Sequence, residues 1–393
     1  MRTSFILGLL VLLGSVFVPH TALAADGEVA GWIPYWETKD GMKDAKSHFD
    51  ELDRVYLFAY TVKKDGSLND LMGLSKSTPK RFIADARKAG VEVFPTVMWS
   101  DTTNIHNILS STEKRKAHVL SIVAMAEKGE YDGIDIDYEG KKADTMPYFS
   151  LFLTELSAEL HRKEITLSCS IEARTPADSL YTVVPGNLRY ANDLAVIGKV
   201  CDIVNVMTYD QQRADLKANK ARQGAPYYPV ADPLWVEKVA RLMTEVIPKE
   251  KMMLGVATYG REVEVTVSPD WYQGYKQLWS VNPKYAKDQA KKAKVTPSRN
   301  AAGEMSYTYL PKKSKLKLSS YKAPSGTPSG NQVAAKALAY ANATGKTATF
   351  NMVWWSDGEA VGDKAELARS LGLRGISIFK IDGGEDSAVW KNI

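Results

Sequence analysis

The chain has 393 residues, is 45% hydrophobic and 25% charged, and carries a formal net charge of +5. This is ordinary globular composition, enough for one large α/β domain or two medium ones, and the charge is too small to argue for a nucleic-acid partner. Only two cysteines are present, Cys169 and Cys201, so disulfides do not scaffold the fold; the pair forms either one bridge or two buried free thiols on neighbouring strands.

The chain opens as a secretory leader. Arg2 supplies the positive start, residues 5–18 form an apolar run, and Ala22-Leu23-Ala24 has the pattern of a cleavage site. The run is shorter than the roughly 20 residues that span a bilayer. No Cys follows the cleavage site for a lipid anchor, and no later segment is long and apolar enough to cross a membrane. Residues 1–24 are therefore expected to be removed, leaving a chain that starts near Ala25 and is secreted or periplasmic.

Apolar, β-rich runs then alternate with helical patterns. Strands are predicted at 29–36, 55–61, 91–98, 133–139, 165–171, 203–208, 253–258 and 375–379, and helices at 79–89, 113–128, 146–163, 234–247 and 364–371. Strands alternating with helices argue for βα units around a parallel sheet. Eight of them suit an α/β (β/α)8 TIM barrel. A doubly wound sheet usually carries a Gly-rich turn after its first strand, whereas here that strand runs into Tyr35-Trp36-Glu37.

The barrel is expected to occupy 25–261 and 350–393, interrupted after its seventh strand by a small α+β insertion at 262–349. The insertion contains strand-like runs at 305–310 and 316–318, and a Pro/Gly/Ser loop at 323–330. Its stretch from Lys284 to Lys317 is rich in lysine. Such a stretch is either a solvated face or an attraction to an anionic polymer such as cell wall.

The most informative stretch is Asp132-Gly133-Ile134-Asp135-Ile136-Asp137-Tyr138-Glu139. Strand side chains alternate, so Asp135, Asp137 and Glu139 share one face, about 6–7 Å apart in sequence order. Three like charges in a row are costly unless some hold protons. At the C-terminal mouth of a barrel, such a ladder of depths splits pKa values and keeps the outermost acid protonated for general acid work. Metal binding is the competing reading, but a strictly alternating strand suits a barrel interior better than a cation loop. Asp132 precedes the strand and is read as structural.

The octet resembles the signature of glycoside hydrolase family 18, which includes chitinases and related N-acetylglucosaminidases. Met207-Thr208-Tyr209-Asp210 resembles the family's motif at the end of strand six. Residues 254–261 (LGVATYGR) resemble its strand seven, and Val353-Trp354-Trp355-Ser356-Asp357 its return from the insertion. The resemblance implies a retaining, substrate-assisted glycosidase acting on β-1,4 linkages of a polysaccharide that contains N-acetylglucosamine. It implies Glu139 as general acid and base, Asp137 as the residue that orients the acetamido N–H, and Asp135 as the partner that shares a proton with Asp137. Tyr209 is implied as donor to the acetamido carbonyl, with Met207 and Asp210 beside it as substrate contacts.

Sugar clefts are lined by aromatic faces. Trp36, Tyr60 and Trp99, each near a strand end, are candidates for this lining, and Tyr227, Tyr228 and Trp271 sit in loops that would extend it. Two features depart from many chitinases. The third strand reads Phe94-Pro95-Thr96-Val97-Met98-Trp99 in place of a Ser-x-Gly-Gly motif. The floor position on strand eight, usually Trp, is Phe379. With Gly31-Trp32-Ile33-Pro34-Tyr35-Trp36 and the ending Gly383-Gly384-Glu385-Asp386, these departures are more similar to the bacterial cell-wall and spore-cortex glucosaminidase branch.

His48, His106, His118 and His161 lie away from strand ends, which argues against a Ser-His-Asp triad or a zinc site, and no phosphate-cradling loop is present. No cofactor, no metal and a monomer are expected. The alternative is a non-catalytic, glycan-binding relative, but such proteins typically lose the terminal Glu or a neighbouring Asp, and this chain keeps both. A metal-dependent polysaccharide deacetylase is a third reading.

Overall fold

The computed structural model describes residues 27–393; the leader lies outside the described residues. All eight predicted barrel strands form: β1 Glu28–Pro34, β2 Arg54–Val62, β3 Glu92–Trp99, β4 Gly133–Tyr138, β5 Thr166–Glu172, β6 Ile203–Met207, β7 Met252–Ala257 and β8 Gly375–Phe379. Neighbours pair in parallel, and β1 pairs with both β2 and β8, which closes the sheet into a (β/α)8 barrel. A short strand, Leu68–Asp70, adds antiparallel to the end of β2. No described helix is long and apolar enough to cross a membrane.

Alternation sorts the strand side chains into two cores. Outward residues such as Ile134, Ile136, Tyr138, Leu167 and Ile171 join the large cluster beneath the helices. Inside the barrel, Trp32, Tyr56, Phe58 and Phe94 pack with Ile203 and Met253, next to the buried polar side chains of Thr96, Ser168, Ser170 and Asn205. The helix expected at 364–371 begins earlier, at Gly358, because Asp357 caps it by accepting from the Ala360 amide at 3.2 Å.

After β7 the chain enters a five-stranded antiparallel sheet. Its order is Trp271–Val281, Gly260–Ser268, Ala348–Trp355, Met305–Tyr309 and Ser298–Arg299. The helices Pro283–Ala293 and Gln332–Thr344 accompany it. The run 316–318 is not a strand: Leu316 and Leu318 pack into the insertion's own apolar cluster without joining a ladder, so its alternation reflects burial alone. A buried carboxylate fastens the insertion to the barrel. Glu304 accepts from the Val230 and Ala231 amides at 2.9 and 3.1 Å and from the Trp354 indole, with Lys364 at 3.8 Å.

Cys169 of β5 and Cys201, just before β6, are bridged. Of the two readings open from sequence, the disulfide is the one that holds. It sits on the outer face of the barrel, and a link across 32 residues stabilises the fold by roughly 3–4 kcal/mol through the unfolded chain.

Candidate active site

A cavity of about 650 Å³ opens at the C-terminal ends of the strands. Asp135 lies beneath it, fully buried. Its Oδ1 accepts from Ser168 at 3.0 Å and Ser170 at 2.9 Å, and its Oδ2 from Thr96 at 3.0 Å and, more weakly, the Trp32 indole at 3.4 Å. Burial pushes the Asp135 carboxyl up, and these donors pull it back. The network follows from strand register, since Asp135 stands opposite Thr96 of β3 and Ser168 of β5.

Asp137 is one step nearer the mouth and lines the cavity. Burial, then Glu139, then Asp135 push its carboxyl well above the usual range, and its Oδ1 is buried without a hydrogen-bond partner. Glu139 follows β4 directly and is held by its amide, which donates to the Trp99 carbonyl at 2.9 Å. Burial first, and Glu172 second, raise its carboxyl too.

Two residues missed from sequence complete this wall. Glu172 ends β5 and lines the cavity beside Glu139. It accepts from the Gly140 amide at 3.1 Å and from Asn192 at 2.8 Å, and lies 3.6 Å from the Lys141 ammonium. Despite burial, Lys141 and these donors hold its carboxyl below the usual range. Lys141 is itself buried, donating to the Tyr138 carbonyl and lying 4.5 Å over the Phe149 ring. A signal for Glu172 was present: Ser168, Ser170 and Glu172 alternate along β5 as Asp135, Asp137 and Glu139 do along β4 and just past it.

Opposite the acids, Met207 at the end of β6 and Tyr209 and Asp210 just past it line the cavity. Burial raises the Tyr209 phenol well above its ordinary value, so it remains a neutral donor. Asp210 is paired with Arg261 at 2.5 Å. Phe379 forms the floor, stacked against Tyr209 with centroids 5.9 Å apart and meeting Trp32 and Phe58 edge-on. Trp36 is 47% exposed at the rim, where it meets Phe58 edge-on at 5.9 Å.

Five predicted lining residues are elsewhere. Trp99 stands opposite Tyr138 on the outward parity of its strand and packs beneath the helices against Tyr138 and His118. Tyr60 is displaced by a bulge: Phe58 stands opposite Thr96, but Tyr60 opposite Val97. The extra residue, Ala59, turns Tyr60 to the outer cluster. Phe58, not Tyr60, therefore faces the cavity. Tyr227 and Tyr228 are buried in the insertion's cluster, and Trp271 borders a separate cavity. Trp32 and Trp235 line the cleft without having been predicted to. Asp132 accepts from the Val93 amide at 2.9 Å, on the side of the barrel away from the mouth.

The profile of the glycosyl hydrolases family 18 matches residues 29–384. The chain belongs to that family. It is 24% identical over 287 residues to an uncharacterized glycosylase, YvbX, of Bacillus subtilis, covering 73% of this chain and 67% of that protein. The chain thus spans about two thirds of the length of that relative. Among solved structures, a class V chitinase from Pseudomonas fluorescens superposes with a TM-score of 0.68 at 20% identity, covering 93% of this chain and 98% of the other. The Bacillus cereus spore cortex-lytic enzyme SleL gives 0.66 at 18%, covering 93% and 73%. At such identities the structural likeness speaks for the fold alone.

Proposed function

We propose that this protein is an exported, retaining glycoside hydrolase that cleaves β-1,4 linkages beside N-acetylglucosamine in chitin oligomers or peptidoglycan, with the substrate's own acetamido group as nucleophile. The observation that carries this is the pairing of Glu139 with Asp137. Both carboxyls are pushed up by burial, and Asp137 keeps one oxygen unpartnered in the cavity. The other nearby carboxylate, Glu172, is engaged by Lys141, Asn192 and the Gly140 amide, and is poorly placed to serve as a nucleophile. A substrate-assisted route removes the need for one.

Glu139, whose carboxyl is raised by burial and by Glu172, gives its proton to the leaving glycosidic oxygen as that bond to the anomeric carbon breaks. The acetamido carbonyl oxygen forms the new bond to the same carbon, giving an oxazolinium ion. Asp137 accepts from the acetamido N–H and balances the developing positive charge, and Tyr209 donates to the carbonyl oxygen. In the free enzyme the proton of the pair lies with Asp137, because three hydroxyls already serve Asp135; it passes to Asp135 as the acetamido N–H arrives, which leaves Asp137 an ionised acceptor. Water then enters, gives a proton to Glu139 and opens the oxazolinium ring. Two inversions amount to retention.

Export is supported by the leader pattern and by the Cys169–Cys201 bridge, which fits an oxidising compartment. The test is digestion of chitin oligomers and purified peptidoglycan side by side, with products identified by mass and the first-formed anomer by NMR. A β-anomer from β-linked substrate supports the mechanism. An α-anomer, or full activity in Glu139→Gln, would sink it.

A further inference from the structure

The strand Trp271–Val281 joins two cavities. At one end Ser280 and Val281 border the cleft. At the other, Trp271, Tyr272 and Tyr275 border a cavity of about 230 Å³ whose second wall carries Arg213, Lys220 and Arg222. The path between them is aromatic and polar. Tyr275 stacks on Tyr228 with centroids 5.4 Å apart, and the Tyr228 hydroxyl donates to Gln212 at 2.8 Å, two residues beyond the cleft's Asp210.

The two cavities have opposite charge. The cleft is lined by Asp137, Glu139, Glu172, Asp210, Glu37 and Asp382, against two bases, Arg261 and Lys380, which pair with Asp210 and Asp382. The second cavity is bordered by three basic residues and no carboxylate. Two bases nearby are neutralised, Lys217 by Asp178 and Lys238 by Asp215, and of the three that border the cavity Arg222 lies 3.9 Å from Asp232. Among the described residues, no such pair engages Arg213 or Lys220. Arg213 instead lies 4.9 Å over the Tyr275 ring, where its guanidinium meets no carboxylate and can take one from a ligand. Trp271, 48% exposed, offers a face for a sugar ring.

We propose that this cavity is a second glycan-binding site that takes an amino sugar whose lactyl-peptide substituent carries a carboxylate, as in the muramyl peptide units of peptidoglycan, and so selects that polymer over neutral chitin. The proposal rests on the reading of the cleft as an N-acetylglucosaminidase for its biological sense, but binding here requires no hydrolysis. Aromatic stacking supplies the affinity for the ring, and Arg213 and Lys220 supply the discrimination.

The probe is muramyl dipeptide, a monosaccharide with no β-1,4 bond to cleave, titrated into the full chain. The readouts are calorimetry and the indole N–H resonance of Trp271, assigned with Trp271→Phe. Muramyl dipeptide is expected to shift that resonance, to bind more tightly than N-acetylglucosamine, and to lose this preference as salt rises. Arg213→Gln/Lys220→Gln should weaken its binding about fivefold, the scale of two exposed ion pairs. Lys284→Gln/Lys292→Gln, which removes the same charge from the helix Pro283–Ala293, should change it less than twofold. An unmoved Trp271 resonance, equal binding of N-acetylglucosamine, or an unaffected Arg213/Lys220 double variant would overturn the site. Tighter binding of glycerol phosphate would overturn the carboxylate assignment in favour of a phosphate. Hydrolysis of chitotetraose, followed in parallel, reports on the cleft separately: its absence with muramyl binding intact counts against the catalytic reading only.

Discussion

Strands β4 and β2 lie one strand apart in the barrel and treat their sequences differently. Along β4 the alternation holds from Gly133 to Tyr138. Asp135 and Asp137 point inward, Ile134, Ile136 and Tyr138 outward, and Glu139 emerges at the mouth. Along β2 it holds only as far as Phe58, where a bulge inserts Ala59 and turns Tyr60 out of the barrel. The difference teaches where sequence parity can be trusted. A strand whose inward residues are fixed by neighbours on both sides, as Asp135 is by Thr96 and Ser168, keeps its register to the end. A strand that must also start a hairpin at its tip, as β2 does with Leu68–Asp70, adds a residue there.

The largest expected effect lies on the strand that keeps its parity. Glu139→Gln should lower kcat on chitotetraose by about 10³-fold, within the range of a lost general acid, with KM changed far less. A rise in KM alone would mean that Glu139 binds substrate and does not transfer a proton. On β2, Phe58→Leu removes an aromatic face from the cleft floor beside Phe379 and Trp36 while nearly conserving volume. Steady-state kinetics should show KM raised about fivefold, the worth of one aromatic contact near 1 kcal/mol, and kcat largely kept.

A subtler effect concerns the cation behind β4. Lys141 holds the Glu139 carboxyl down, against burial and Glu172, which raise it. In Lys141→Met that restraint is gone, while Asn192 and the Gly140 amide still donate to Glu172. The Glu139 pKa therefore rises. In the proposed mechanism Glu139 works in its protonated form, so the alkaline limb of the kcat–pH profile should move to higher pH. A limb that stays in place would show that Lys141 only packs, and a limb that moves down would reverse the electrostatics.

Much of this was legible in the sequence, and what was not has physical causes. The eight strands and the acid ladder are written as period-2 patterns, which burial on a barrel enforces. Glu172 was legible too, as the third inward residue of β5, but its neighbours Ser168 and Ser170 are uncharged, so the strand carries no row of acids to mark it. Lys141 was not legible. A lysine following Glu-Gly at a strand end is ordinarily solvated, and its burial depends on Phe149 and the Tyr138 carbonyl. Residues 316–318 misled in the other direction. Leu316 and Leu318 alternate with lysines because they are buried, yet no strand edge is there to pair with them. The bridge between Cys169 and Cys201 could be named but not chosen, since adjacency on neighbouring strands fits a thiol pair equally well.

The smallest expected effect tests the bulge itself. Tyr60→Phe removes a hydroxyl from a side chain that packs against the outer cluster. It should leave kcat and KM on chitotetraose within about twofold, the behaviour of a substitution outside the site. Phe58→Leu sets the scale for this measurement, because the two residues are separated only by Ala59 and differ in which way they face. If Tyr60→Phe raised KM as much as Phe58→Leu, the phenol would be touching sugar. The strand would then have to run to its end without the extra residue, with Tyr60 inward as unbroken alternation requires. A null result at Tyr60 beside a clear one at Phe58 is what a one-residue insertion at Ala59 demands.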